Sequence, residues 1–377
     1  MTTSPTEWTM RGGGEYAATL PGGNFTFEME REDMAFPEIC DLAVRNNAKR
    51  RFLFVSKVLG RHIPVRPAEL REVSARLAGK LHATLKPEPV VFIGMAETAT
   101  TLGQAVFREF LRQGGEGLYI ESTRRPTGGA QAFSFSETHS HATAHVIHQP
   151  SPDDDPHDML RRAGQVVVVD DEATTARTAA GLVRAMREWR GEDGFGFVAW
   201  LAVILHWRHD FGDDTSFEGM ASLVEGRFSF EEAGGLAEPP AARDGIDSRV
   251  LAPRGIRHGG SRPQELPLHW KADAREGEKI LVIGNGEYGF QPLLLAEAME
   301  KMGAEARVMA TTRSPILPGG AISHIRSFPA LSGEGYTEFL YNVPTAHGYD
   351  RVILCLEDAA PECGHPVFEI PKLEVWT

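Results

Sequence analysis

Apolar residues at Leu70, Val73, Leu77, Leu81 and Leu85 recur on one helical face and predict an amphipathic helix over residues 68–85. Residues 90–93 read as a strand, 99–112 as a second helix and 118–120 as a short strand, while 166–169 and 197–204 are longer apolar runs suited to strands. Strands alternating with helices predict an α/β fold with a mostly parallel sheet covered on both faces, and ligands in such sheets sit beyond the carboxyl ends of the strands. A stretch rich in Pro, Gly and Arg, 239–276, shows no sustained period and is expected to be a linker or an arm lying on a neighbour. A second, smaller α/β unit follows over 277–377, with strands at 280–283, 306–309 and 351–355 and a helix at 291–302. That leaves 25–238 as the first domain and 1–24, Gly- and Thr-rich without an apolar core, as a flexible N-terminus.

A chain of 377 residues is long enough for two domains, and its formal charge of −13 argues against general nucleic-acid binding. Residues 41–80 are nevertheless locally basic; Arg71 and Arg76 there read as a solvated helix face. Three cysteines, Cys40, Cys355 and Cys363, have no metal-ligand spacing, and no run is long and apolar enough to span a bilayer. With no signal peptide apparent, a reducing cytoplasm is the expected location, and no membrane partner is expected.

The most informative stretch runs from Val166 to Thr178. Four consecutive valines lead into Asp170, Asp171 and Glu172, then a turn with Thr174, Thr175 and Ala176, then a helix from Arg177 and Thr178. Hydroxyls and unpaired N–H groups at a helix start suit a phosphate, while paired carboxylates accept from a ribose diol or hold Mg²⁺. This pattern resembles the 5-phosphoribosyl-1-pyrophosphate (PRPP) motif of type I phosphoribosyltransferases, although that family has Gly where Ala176 stands. The resemblance implies the type I phosphoribosyltransferase fold, PRPP and a small base-like acceptor as substrates, Mg²⁺ as cofactor, and a homodimer.

By the same resemblance, Glu97, Thr98, Ala99 and Thr100 occupy the place of a pyrophosphate loop; the alternative is an ordinary helix cap. Arg124 and Arg125 stand where pyrophosphate-neutralising residues are expected, with a solvated basic turn as the alternative. Residues 127–149 read as a Gly-hinged lid carrying Glu137, His139, His141, His145 and His148, from which Glu137 and His139 are the candidate catalytic groups. A hydroxyl at Thr174, in place of the acidic residue of purine-type members, looks more like the orotate type. Asp170 and Asp171 would hold Mg²⁺ directly, through water, or through ribose hydroxyls.

In the second unit Gly284, Gly286 and Gly289 match GxGxxG after a strand, but no acidic residue ends the next strand, which disfavours a dinucleotide. Thr312, Arg313, Ser314 and Pro315, with the GxGE turn around Glu287, resemble the TRSP domain that follows orotate-like phosphoribosyltransferases encoded near bacterial tellurite-resistance and stress genes. The segment 45–57 resembles the opening of the same family. Gly284, Gly286, Glu287, Thr312, Arg313 and Ser314 are thus candidate ligand contacts, the alternative being plain packing glycines and a carbonyl-capping arginine. The activity expected is PRPP-dependent ribosylation in the biosynthesis of a nucleoside-like metabolite. Two other classes compete with it: a non-catalytic PRPP or nucleotide sensor, and a hydrolase or transferase centred on the second domain.

Overall fold

The computed structural model describes residues 6–45, 50–125, 128–136, 144–150, 158–191, 196–207, 216–234, 260–262, 264–331, 333, 335–357 and 360–377. In the first part of the chain the elements are β1 (Glu7–Gly12), β2 (Glu15–Leu20), β3 (Gly23–Glu32), α1 (Phe36–Ile39), β4 (Cys40–Val44), β5 (Phe52–Ser56), α2 (Pro67–Thr84), β6 (Val90–Gly94), α3 (Thr100–Arg112), β7 (Gly117–Glu121), β8 (Gln131–Ser136), β9 (Ala144–His148), α4 (Met159–Arg162), β10 (Gln165–Ala173), α5 (Arg177–Arg190), β11 (Val198–Trp207) and β12 (Gly219–Glu232). The rest contributes β13 (Lys279–Gly284), α6 (Phe290–Lys301), β14 (Glu305–Ala310), β15 (Leu317–Gly320), β16 (Ile325–Pro329), β17 (Thr337–Tyr341), β18 (Arg351–Cys355) and β19 (Leu373–Trp376).

An eight-stranded sheet in the order β1-β2-β3-β12-β11-β10-β6-β7 forms the frame. Its five strands from β12 to β7 are parallel, and Val166 to Val169 at its centre are fully buried, as an uninterrupted valine run requires. Helix α2 lays Leu70, Val73, Leu77 and Leu81 inward; α3 is buried along most of its length because α2 and α6 cover the sides that the sheet does not. A second parallel sheet, β14-β13-β18-β19, carries α6.

In three places the structure departs from the sequence reading or adds to it. The first concerns the N-terminus: residues 6–24 form β1, β2 and the start of β3, which extend the main sheet antiparallel. Gly13 and Gly14 at φ of +65° and +84° make the tight turn between β1 and β2. The aromatic rings of Phe25, Phe27, Phe36 and Trp207 anchor this extension, with Phe27 and Trp207 centroids 5.6 Å apart. The second concerns the boundary between domains. β15, from the second, pairs with β4, from the first, in a three-stranded sheet with β5, and Val65 bridges to Val308. The third concerns the arm. Its described part docks on its own chain, where Gly260 exchanges backbone hydrogen bonds with Tyr119 on the edge strand β7 and Trp270 is buried near Tyr288 and Trp376.

Candidate active site at the domain junction

Strand β10 outruns its neighbour. Pairing with β6 ends at Val169 opposite Gly94, whereas pairing with β11 continues to Ala173 opposite His206. Asp170, Asp171 and Glu172 therefore lie on a strand extension past the end of β6, not in a loop. The Asp171 N–H donates to Asp170 Oδ1 (2.9 Å), and Glu172 accepts from Arg50 Nη2 (2.9 Å) and from Thr174 Oγ1 (2.5 Å). Arg50 in turn lies over the rings of Phe52 and Phe54, 4.8 and 5.1 Å from their centroids.

The turn ends at Ala176, whose φ of +49° is left-handed. That conformation explains why glycine would be at ease here, and why α5 starts with an N-cap that offers no side-chain oxygen to its first-turn N–H groups. Thr175 and Thr178 are half-buried and Arg177 is exposed on the same turn. An Ala176→Gly substitution is expected to raise stability by about 0.5–1 kcal/mol, the left-handed penalty less the extra chain entropy of glycine, as read by urea unfolding.

Desolvation raises the Asp171 carboxyl to about 6, with Glu172 adding repulsion. The folded chain then binds a proton that the unfolded chain releases near pH 4, so metal-free stability falls as pH rises from about 4 to 6 and stays lowered above that. Asp171→Asn is expected to stabilise the metal-free protein at pH 7–8 by on the order of 2 kcal/mol, and to confer nothing below about pH 4, in thermal melts across pH.

Glu97, Thr98, Ala99 and Thr100 follow β6 beside this extension, with the Met95 N–H bonded to Val169 O (3.0 Å). The Ala96–Glu97 peptide is cis. Here the second domain intervenes: Thr100 Oγ1 donates to Glu287 O (3.1 Å), and a Cβ on Gly289 would meet Thr101 Oγ1. Gly289 is thus a close-packing glycine against α3, while Gly286 adopts a φ of +57° in a tight turn closed by Tyr288 N–H on Asn285 O. Gly284 ends β13 under that turn.

Arg61 ties the two turns together. Its Nη1 donates to Gly286 O and Thr311 O (both 2.7 Å) and faces Glu97 Oε1 (3.3 Å), and its Nη2 donates to Glu97 O (2.5 Å). Burial lowers its guanidinium, while Glu97, Glu287 and Asp171 pull the other way. Nothing in the sequence sets Arg61 apart from the basic residues around it. Arg71, expected to be solvated, instead pairs with Glu297 and Glu300 on α6, whereas Arg76 pairs with Glu72 on the exposed face of α2.

The Glu287 carboxylate reaches the end of β7: Thr123 Oγ1 donates to Oε2 (2.6 Å) and the Arg124 N–H to Oε1 (2.9 Å). Arg125, 4% exposed, turns toward the second domain and donates to the Tyr336 hydroxyl (2.8 Å), and Arg313 stacks on the Tyr336 ring at 3.8 Å. Burial pulls the Arg313 guanidinium down, yet Tyr336, Glu97 and Glu287 hold it above its ordinary value. Glu97, Arg125, Glu287, Thr312, Arg313 and Glu338 share the wall of one small cleft of about 10 Å³, room for about a single water molecule. Thr312 Oγ1 accepts from the Ser314 N–H (3.2 Å), so Ser314 braces that wall.

The described part of 127–149 is a two-stranded hairpin, β8 with β9, where a loop was expected; Glu137, His139 and His141 lie outside the described residues. His145 and His148 are buried. His145 Nδ1 lies 3.1 Å from Ser122 Oγ, which also accepts from the Ala96 N–H, and Nε2 lies 3.4 Å from Arg124 Nη2. The Nδ1–H tautomer suits both neighbours and links the hairpin to the loop after β6. His148 faces Gly129 O instead.

Residues 39–219 match the family model described as phosphoribosyl transferase, and residues 265–365 match the TRSP domain, C-terminal to that transferase. No curated protein matches the chain. Among solved structures, the chain resembles adenine phosphoribosyltransferase of Giardia lamblia complexed with 9-deazaadenine, at 13% identity over 51% of this chain and 97% of that one, with a TM-score of 0.35. It also resembles the adenine phosphoribosyltransferase of Rhodothermus marinus (13% identity, 50% and 95% coverage, TM-score 0.33). A third is that of Trypanosoma brucei in complex with AMP, pyrophosphate and ribose-5-phosphate (11%, 58% and 86%, TM-score 0.33).

Proposed function

We infer, for a chain that carries a phosphoribosyl transferase domain followed by a TRSP domain, that it transfers the phosphoribosyl group of PRPP to a small base-like acceptor with release of pyrophosphate. The observation that carries this reading is the extension of β10, which presents Asp170 and Asp171 beside a left-handed Ala176 and the open N-terminus of α5. A 5-phosphate would take the first-turn N–H groups and the hydroxyls of Thr175 and Thr178, the Thr174 hydroxyl being donated to Glu172; the carboxylates would accept from the ribose hydroxyls. As diphosphate leaves, C1 gains oxocarbenium character, and fixed cations near the departing oxygens favour that charge separation. Arg124 and Arg125, at the end of β7, are the candidates.

Among the described residues no group of three or more His, Cys, Asp or Glu converges on a point. Two adjacent carboxylates with a polyphosphate substrate nevertheless suit Mg²⁺, which keeps water and phosphate oxygens as ligands. Asp170 and Asp171 would hold it, directly or through water, and bound there it would offset the charge of the leaving diphosphate. The hydroxyl of Thr174, joined to Glu172, favours an orotate-like acceptor site over a purine-type one, and a metabolic role in making a nucleoside-like product, as in stress or tellurite-resistance gene clusters, follows from that reading. Incubation with PRPP, Mg²⁺ and a panel of bases should release pyrophosphate with at least one acceptor. Tight PRPP binding with no pyrophosphate from any of them would point to a sensor instead.

A further inference from the structure

The end of β7 is built to hold an anion, and in this structure the anion comes from the chain itself. Thr123 Oγ1 and the Arg124 N–H point at the Glu287 carboxylate, while Thr100 Oγ1 points at the Glu287 carbonyl. Two arginines, Arg125 and Arg313, line the same cleft, along with the carboxylates of Glu97 and Glu338. We propose that Glu287 is an internal stand-in for the diphosphate end of the substrate, and that diphosphate displaces it and releases the turn from Gly284 to Gly289. This rests on the transferase reading and adds to it a substrate-driven switch carried by the second domain.

The chemistry favours exchange over simple addition. A carboxylate offers one negative charge and two oxygens, whereas a diphosphate brings more charge and more acceptors to donors already oriented for them. Glu287, once displaced, regains water for a charge that is now 6% exposed. Releasing the turn must also break the bonds of Gly286 O to Arg61 and of the Gly286 N–H to Thr311 Oγ1, while the open space beside Gly286, at φ of +57°, gives the backbone room to move. The rest of the second domain stays docked through the Arg108–Glu297 pair, the Val65–Val308 bridge and the β15–β4 pairing. A purely structural Glu287 would behave differently, since loosening it would spoil the wall of the cleft and weaken any anion bound there.

The test is calorimetric titration of inorganic pyrophosphate, and separately of PRPP, into the full chain and its Glu287→Gln and Glu287→Asp variants. Melting temperature and circular dichroism check the fold. Both variants are expected to bind pyrophosphate about tenfold more tightly than wild type, because each weakens the internal competitor. In wild type, pyrophosphate should speed amide exchange over residues 284–289 while leaving 293–300 unchanged. Unaltered or weaker binding in both folded variants would overturn the switch and leave the transferase reading standing. Absence of pyrophosphate and PRPP binding in all three proteins would overturn both.

Discussion

Replacing Asp170 and Asp171 together by Asn is expected to lower PRPP-dependent pyrophosphate release by about a thousandfold, within the range seen when charge-stabilising groups are removed from active sites. Asn keeps the volume of Asp, so the strand extension and its pairing with β11 should survive. What is lost is the pair of negative acceptors that, in the proposed reaction, would fix the ribose hydroxyls while C1 becomes electron-poor and would hold Mg²⁺. On that proposal the loss should fall mainly on kcat, because the turn and α5, which would hold the phosphate end, are untouched. Unfolding is a poor rival explanation, since removing the desolvated Asp171 charge should make the metal-free chain more stable at neutral pH. Pyrophosphate release at the wild-type rate from the double variant would refute the assignment.

Arg108→Met should destabilise the protein by roughly 3–5 kcal/mol, the cost of leaving a buried carboxylate without its partner. Arg108 and Glu297 form a two-pronged pair at 2.8 and 2.7 Å, each side chain under a tenth exposed, between α3 and α6. Arg71 stands 3.5 Å from the same carboxylate and cannot replace both bonds. If the charge left behind is the cause, then Arg108→Met combined with Glu297→Leu should recover most of the loss in chemical denaturation. A double variant as unstable as the single one would mean that packing against Phe290, over which Arg108 lies, matters more.

The valine run, the acidic pair and the helical spacing of α2 were readable because each depends on local pattern: a strand buried on both faces admits only apolar residues, and an amphipathic helix repeats its inward positions. β1 to β3 were not readable, because Tyr16, Ala18 and Leu20 alternate over too short a span and acquire meaning only from Phe25, Phe27 and Trp207 across the sheet. The site divided in the same way. Motif residues announce themselves by type and order, so the sequence marked both the acidic strand and the GxGE turn as chemically suggestive. That the second turn would sit on the first domain, joined through Arg61 and Glu287, depends on long-range packing that no local spacing encodes. Tyr336 and Glu338 entered the cleft on the same terms.

The small sheet in which β15 pairs with β4 also orders events in time. Val44 leaves the ribosome long before Leu317, its partner, so the outer edge of β4 has no neighbour until that much later segment has been made. Closing so long a loop costs entropy that only the finished contacts repay, which places this sheet late in folding. The first domain can assemble its parallel core early, but β4 gains its second neighbour only when a segment made about 270 residues later returns to it. A chain of this design would therefore gain its final shape and its second domain in one step.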